Sequence, residues 1–212
     1  GEQLFHKISE MKKELDDAVD ELWHENSSRK VLRIGVMQGE LTDLISNVMI
    51  RFKMNYPDVQ CVLYTLDLST SMVEKGELDL YFDYDTTDNK NNMKFLYEDG
   101  FNIISSKTVG NIDLETLSNY SWVLMNDRYS CRHICEELSS HYGFNVRPAI
   151  ELSDLSVVYN MVNNNMGISL VSDTSLSFYD SENLNVRKVE GPMLKRNVVM
   201  HHNGALKTES LP

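Results

Sequence analysis

Through the first part of the chain, apolar residues recur at alternating steps of four and three: Leu4, Ile8, Met11, Leu15, Ala18 and Leu22, with Glu, Asp and Lys between them. This is a heptad seam, the pattern of a helix that packs along one face against another. Phe5, Val19 and Trp23 widen the stripe. A polar break over residues 25–30 separates the helix from the rest of the chain, so a local core explains a three-heptad stripe poorly. The pattern favours a dimerisation helix carried by Leu4, Ile8, Met11, Leu15 and Leu22 over a helix packed on its own domain, and the domain proper starts at Val31.

From Val31 the period changes. Residues 31–37 read as a strand, and Leu41, Leu44, Ile45, Val48, Met49 and Phe52 share one helical face that Tyr56-Pro57-Asp58 brings to an end. A second strand is expected at 59–66, a short helix at 69–75 with Ser69 as its N-cap, and a third strand at 78–84. That βαβαβ order is the signature of a parallel sheet. A polar loop covers 85–92, after which 93–97 and 101–106 are expected as two extended segments around an Asp99-Gly100 turn. A second cycle succeeds it: a short helix at 113–117, a strand at 121–125, a helix at 131–142, a strand at 146–152, a helix at 154–164 and a strand at 168–171. Final strands are expected at 184–190 and 195–202, and residues 203–212 are polar without an apolar period.

Composition narrows the functional classes. The 212 residues are 42% hydrophobic and 25% charged, enough to bury a core. With 32 acidic against 20 basic side chains the net charge is −12, and the basic clusters reach only pairs such as Lys12-Lys13 and Arg29-Lys30. Gripping nucleic acid requires clustered cations against phosphates, so this chain is not expected to bind DNA by itself. No apolar run approaches the ~20 residues of a membrane span, and the N-terminus lacks a signal-peptide centre. The expectation is a cytoplasmic protein without membrane contact. Cys61, Cys131 and Cys135, an odd count at low density, suit a reducing compartment.

No phosphate loop, G-x-S-x-G elbow or H-E-x-x-H motif is present, so no catalytic residue, metal or cofactor is assigned and the chain is not read as an enzyme. Cys131 and Cys135 lie one helical turn apart, but they share a stripe with Ile134, Leu138 and Tyr142 and read as small buried apolar residues. Cys131 is nevertheless a candidate redox residue, because a first-turn position near Arg128 and Arg132 lowers a thiol pKa. Binding chemistry is expected where parallel strands end, since loops and helix N-termini open there. The candidates are Met37, Gln38, Gly39 and Glu40 after the first strand, Leu66 after the second, Tyr84 at the end of the third, Asn126, Arg128, Tyr129 and Ser130 before the long helix, and Ser153. Ser153 reads as an N-cap whose hydroxyl and neighbouring N–H groups can also receive a carboxylate, and Arg128 suits an anionic ligand.

Several strings carry a resemblance. Leu32-Arg33-Ile34-Gly35, Phe52-x-x-x-Tyr56-Pro57-x-Val59 and Gly76-x-Leu78-Asp79-Leu80 are succeeded by Glu151-x-Ser153, Met161-Val162 and Met166-Gly167-Ile168-x-Leu170. In order and spacing, residues 31–175 resemble the effector-binding domain of LysR-type transcriptional regulators. The resemblance implies an α/β fold of two Rossmann-like subdomains with a cleft between them, similar to type 2 periplasmic binding proteins, behind an N-terminal linker helix. The implied division is a linker helix at 1–30, a first subdomain at 31–103 and 174–212, and a second at 104–173. A small-molecule effector would bind in the cleft, at the loops named above, and signal through a homodimer or homotetramer to a winged helix-turn-helix DNA-binding domain that precedes residue 1. Glu40 and Tyr84 stand where small hydroxyl residues are frequent in the family, and a final family helix is not found after His202. Two alternatives remain at this point: a thiol-based redox-sensing domain of the same family, since Cys131 falls near a position where peroxide-sensing members carry a reactive cysteine, and a free-standing solute-binding protein.

Overall fold

The computed structural model describes residues 2–24, 31–37, 39–65, 70–85, 92–191 and 194–202. In chain order the elements are α1 (Glu2–His24), β1 (Val31–Val36), α2 (Thr42–Asn55), β2 (Gln60–Tyr64), α3 (Thr70–Glu74), β3 (Leu80–Tyr84), β4 (Met93–Ser106), β5 (Trp122–Met125), α4 (Ser130–His141), β6 (Pro148–Leu152), α5 (Leu155–Asn163), β7 (Ser169–Ser172), α6 (Asp173–Leu176), β8 (Leu184–Val189) and β9 (Lys195–His202). They form two compact units. The first takes the described residues up to Tyr97 and from Asn197 onward, and the second runs from Glu98 to Arg196.

In the first unit, β1 lies between β2 and β3, parallel to both, with Leu32 opposite Cys61 and Ile34 opposite Leu80. The strands are joined by the right-sized connections of βαβ units: α2 buries Leu44, Ile45, Val48 and Phe52 at helical spacing, and its last turn closes where the Tyr56 N–H donates to the Phe52 carbonyl at 3.0 Å. The far side of β3 is covered by β9, which runs antiparallel and pairs Leu80 with His202 and Tyr84 with Val198. Ser69, the expected cap of α3, lies outside the described residues.

The α1 seam is covered from within the chain. Ile8, Met11, Leu15, Ala18 and Val19 are all buried, and α1 packs on α2 of the same unit. Sequence periodicity favours a partner helix as the cover; the structure supplies α2 instead, because the chain folds back after α1 and presents a second helix to the stripe. Leu4 is half-buried, and the side chain of Leu22 lies outside the described residues.

In the second unit β4 pairs antiparallel with β7 and with β8, Phe101 lying opposite both Ser172 and Val189. β5 and β6 form a parallel pair, and β5 joins β7 through a bridge between Trp122 and Ile168, where the Val123 N–H donates to the Ile168 carbonyl at 2.9 Å. Gly167 makes that approach feasible: its φ is +156°, and a Cβ there would overlap the Ser121 carbonyl oxygen. The helix expected at 113–117 is a 3-10 stretch, Leu114–Asn119, capped by Asp113.

Two expectations are corrected. Asp99-Gly100 is no turn, since β4 runs unbroken through it. The Asp99 carboxylate is buried and accepts from the Thr174 N–H at 3.2 Å, and Gly100 lies beneath the Lys188–Asp173 ion pair, whose ends a side chain there would displace. The second return also falls later than expected. β8 pairs with residues 101–106 of β4, so 174–196 belong to the second unit and the chain re-enters the first only at Asn197. Leu15→Ala is expected to destabilise the protein by about 2–5 kcal/mol in urea unfolding, as a buried leucine does, whereas a solvent-facing seam would lose no more than about 0.5 kcal/mol.

Candidate functional site

The second unit brings four of the expected binding residues together. β5 ends at Met125, and the Asn126 N–H donates to the Leu152 carbonyl at 2.8 Å, tying the end of β5 to the end of β6. The Asn126 side-chain oxygen accepts from the Arg128 N–H at 3.1 Å, and its carbonyl accepts from the Tyr129 N–H at 3.2 Å, an Asx turn that delivers the chain into α4. Tyr129 is buried and donates its hydroxyl to the Ser153 carbonyl at 2.8 Å. That bond fixes the β6–α5 loop against the start of α4. Two helix N-termini therefore open beside one another at the carboxyl ends of two parallel strands, an arrangement suited to a small anion.

Individual roles differ from the expected ones. Ser153 is exposed and does not cap α5; Asp154 does, accepting from the Ser156 N–H at 2.8 Å. Those hydrogen bonds hold the Asp154 carboxyl below the usual carboxylate range. α4 begins at Tyr129 with no side-chain cap, and the side chain of Ser130 lies outside the described residues. Arg132, one turn into α4, bridges Glu136 and Glu151, each at 3.0 Å.

In the first unit the turn after β1 is shaped by Gly39, whose φ of +103° suits glycine and whose N–H donates to the Thr42 hydroxyl at 3.2 Å. Met37 at its start donates its N–H to the Phe82 carbonyl at 2.9 Å. Glu40 is buried, so it does not present its carboxylate to solvent in this state. Tyr84 is buried as well, because it shares the pleat face of Leu80 and Phe82. Gln38 and Leu66 lie outside the described residues. A cavity of about 230 Å³ in this unit is lined by none of these residues but by α1 and the start of β4.

Two of the three thiols are buried and the third is half-buried. Cys131 is 3% exposed and Cys135 0%, and burial pushes the Cys135 thiol up to about 12. Cys61 is also raised, by burial against the opposing effect of Lys53. Peroxide attacks thiolates, not buried thiols. Among the described residues no group of three His, Cys, Asp or Glu side chains is arranged to hold a metal ion, and no helix is long and apolar enough to cross a membrane.

Sequence reading misses a polar cluster on the other face of β3. Tyr81 and Asp83 alternate with the buried Leu80, Phe82 and Tyr84, and β9 sets His201 opposite Tyr81, the two rings 6.0 Å apart. The Tyr81 hydroxyl donates to Asp83 at 3.1 Å, and the Tyr84 N–H donates to the same carboxyl at 2.7 Å. Burial outweighs both bonds and pushes Asp83 up to about 6. Burial also lowers His201, against the nearby Asp85 and together with His202.

The signs are opposite. Because folding favours the protonated form of Asp83, stability is greatest below the ordinary carboxylate pKa of 3.8 and falls as pH rises from about 4 to about 6. His201 favours its neutral form, so its contribution is lost as pH drops below 6.5. Asp83→Asn is expected to remove the loss between pH 4 and 6, making the variant about 1–3 kcal/mol more stable than wild type at pH 7 in chemical denaturation.

A search of curated proteins finds no match. Among solved structures, the CcmR regulatory domain of Synechocystis PCC6803 in complex with 2-PG is similar at TM-score 0.70 and 18% identity, over 84% of this chain and 89% of that one. The reduced OxyR regulatory domain of Pseudomonas aeruginosa gives TM-score 0.67 and 17% identity, over 84% and 91%. A full-length BenM variant gives TM-score 0.64 and 17% identity, over 92% of this chain and 70% of that one. These likenesses establish the fold, that of type 2 periplasmic-binding-protein-like domains. The family model for the LysR substrate binding domain matches residues 25–206, from the polar break through the last strand, and the chain belongs to that family.

Proposed function

We propose that the chain is the regulatory domain of a cytoplasmic LysR-type regulator that binds a small anionic effector and passes the signal, as a homodimer or homotetramer, to a winged helix-turn-helix DNA-binding domain outside this chain. The observation that carries the reading is the convergence of Asn126, Arg128, Tyr129 and Ser153 at the starts of α4 and α5. The Tyr129 side chain at the N-cap of α4 makes no capping hydrogen bond, and the helix dipole favours negative charge there. The CcmR domain in complex with 2-PG supports a small-molecule effector, and the 70% coverage of full-length BenM supports further sequence in the complete regulator. The net charge of −12 accords with DNA contact made outside this chain, since its basic residues cluster in sequence only as pairs.

The mechanism is a population shift. An effector alters operator binding only by preferring one arrangement of the protein over another, and couplings of ~1–3 kcal/mol are typical. Thermal-shift screening of the purified chain against small carboxylates and phosphates is expected to find a ligand that raises the melting temperature. Arg128→Ala and Ser153→Ala are each expected to weaken that ligand at least about tenfold, or ~1.4 kcal/mol, by titration calorimetry. A ligand bound equally well by both variants would place the site elsewhere.

A further inference from the structure

The cavity of about 230 Å³ in the first unit has one wall built on a helical period and one on a strand period. Lys7, Glu10, Met11 and Glu14, at steps of three, one and three, share a face of α1, while Phe95 and Tyr97, two apart, share a face of β4. All six belong to the first unit, and none takes part in the convergence at the starts of α4 and α5. The sequence gives these positions no motif, because the wall forms only when the helix and the strand meet.

The lining combines apolar surface with charges of both signs. Met11 is buried, and Phe95 keeps 57% of its surface exposed. The Lys7 ammonium is held 4.2 Å from the centre of the Tyr97 ring, a cation–π contact that fixes where the charge sits. One turn further, the Glu10 carboxylate stands 3.0 Å from the His6 imidazole, and Glu14 is tied to Lys94. A simple anion entering the cavity meets Glu10 and Glu14, and a simple cation meets Lys7 and Lys13. A zwitterion satisfies both. Side chains three apart on a helix have Cβ atoms roughly 5–6 Å apart, so Lys7 and Glu10 can hold the two ends of an α-amino-acid head group together. Volume sets the rest of the ligand: a cavity of roughly 150 Å³ holds benzene, so one of about 230 Å³ has room for a single ring with a short polar head.

We propose that this cavity is a second ligand site, taking a zwitterionic amino acid with an aromatic side chain. Lys7 receives its carboxylate, Glu10 receives its ammonium, and its ring lies between Met11 and Phe95. The site goes beyond the effector reading above, which concerns the starts of α4 and α5. It draws half of its residues from α1, a helix outside residues 25–206 that the family model matches. Because such a ligand touches α1 and β4 at once, it binds only while the helix is docked, and its binding energy therefore holds the helix in place.

Titration calorimetry with L-phenylalanine, phenylacetate and phenethylamine separates the two charges, since the three probes share a ring and differ in the head group. L-Phenylalanine is expected to bind, and each of the other two at least about tenfold more weakly, or ~1.4 kcal/mol. Phe95→Ala alters an exposed ring and Lys7→Gln a half-buried side chain, so both are compatible with folding. Each is expected to weaken L-phenylalanine at least about tenfold. In hydrogen exchange, L-phenylalanine should slow the amides of residues 7–14 and 93–97. No binding of L-phenylalanine at millimolar concentration, equal affinity for phenylacetate or phenethylamine, unchanged affinity in either variant, or protection gathered at residues 126–132 instead would each overturn the site. The effector reading is tested separately by Arg128→Ala on the carboxylates and phosphates of the thermal-shift screen, so either site can fail while the other stands.

Discussion

The first unit depends on the antiparallel pairing of β9 with β3. The βαβαβ segment yields three parallel strands in the order β2-β1-β3, which leaves the outer edge of β3 without partners. Four of the five β3 residues are buried, and buried backbone N–H and C=O groups left unpaired are costly. β9 satisfies them, and its own Val198, Val199 and Met200 are buried in the process. The same register sorts the side chains of β3. It commits Leu80, Phe82 and Tyr84 to one face, and it closes His201 over Tyr81 and Asp83 on the other, which is why that carboxyl titrates so high.

Much of the architecture is legible in the sequence because it is written in period. Strand alternation and helical stripes are local properties, and they locate most of the described elements to within a few residues. The strings that carry the family resemblance turn out to have mechanical roles. Arg33 and Asp79 meet across β1 and β3, where the Arg33 N–H donates to the Asp79 carboxylate at 2.8 Å and the Asp79 N–H donates to the Arg33 carbonyl at 2.9 Å. Gly167 permits the contact of β7 with β5. The identity of partners is what periodicity leaves out. A heptad stripe states that a helix must be covered and not by what, so α1 reads as the neighbour of another chain although α2 covers it. Asp99-Gly100 carries a strong turn signal, and tertiary contacts to Thr174 and the Lys188–Asp173 pair override it.

The candidate site shows the same division. Topology dictates that loops gather at the carboxyl ends of parallel strands, and that rule alone points to Asn126, Arg128, Tyr129 and Ser153 as candidates. Side-chain direction requires more. Tyr84 has the same parity as Leu80 and Phe82, so its burial is readable from the strand, whereas the burial of Glu40 depends on how a glycine turn folds against α2. Asp154 displaces Ser153 as cap because the helix starts one residue later than its apolar stripe implies, and both residues are good acceptors.

The interleaving of the two units has a temporal consequence. Residues 98–196 form one uninterrupted stretch, whereas the first unit needs β9 from beyond residue 196. On a ribosome the second unit has its whole complement of strands while β3 still waits for an edge partner, so the half of the protein made first is finished last. During that interval a nascent chain carries an open β edge, and it is then that a chaperone has something to hold.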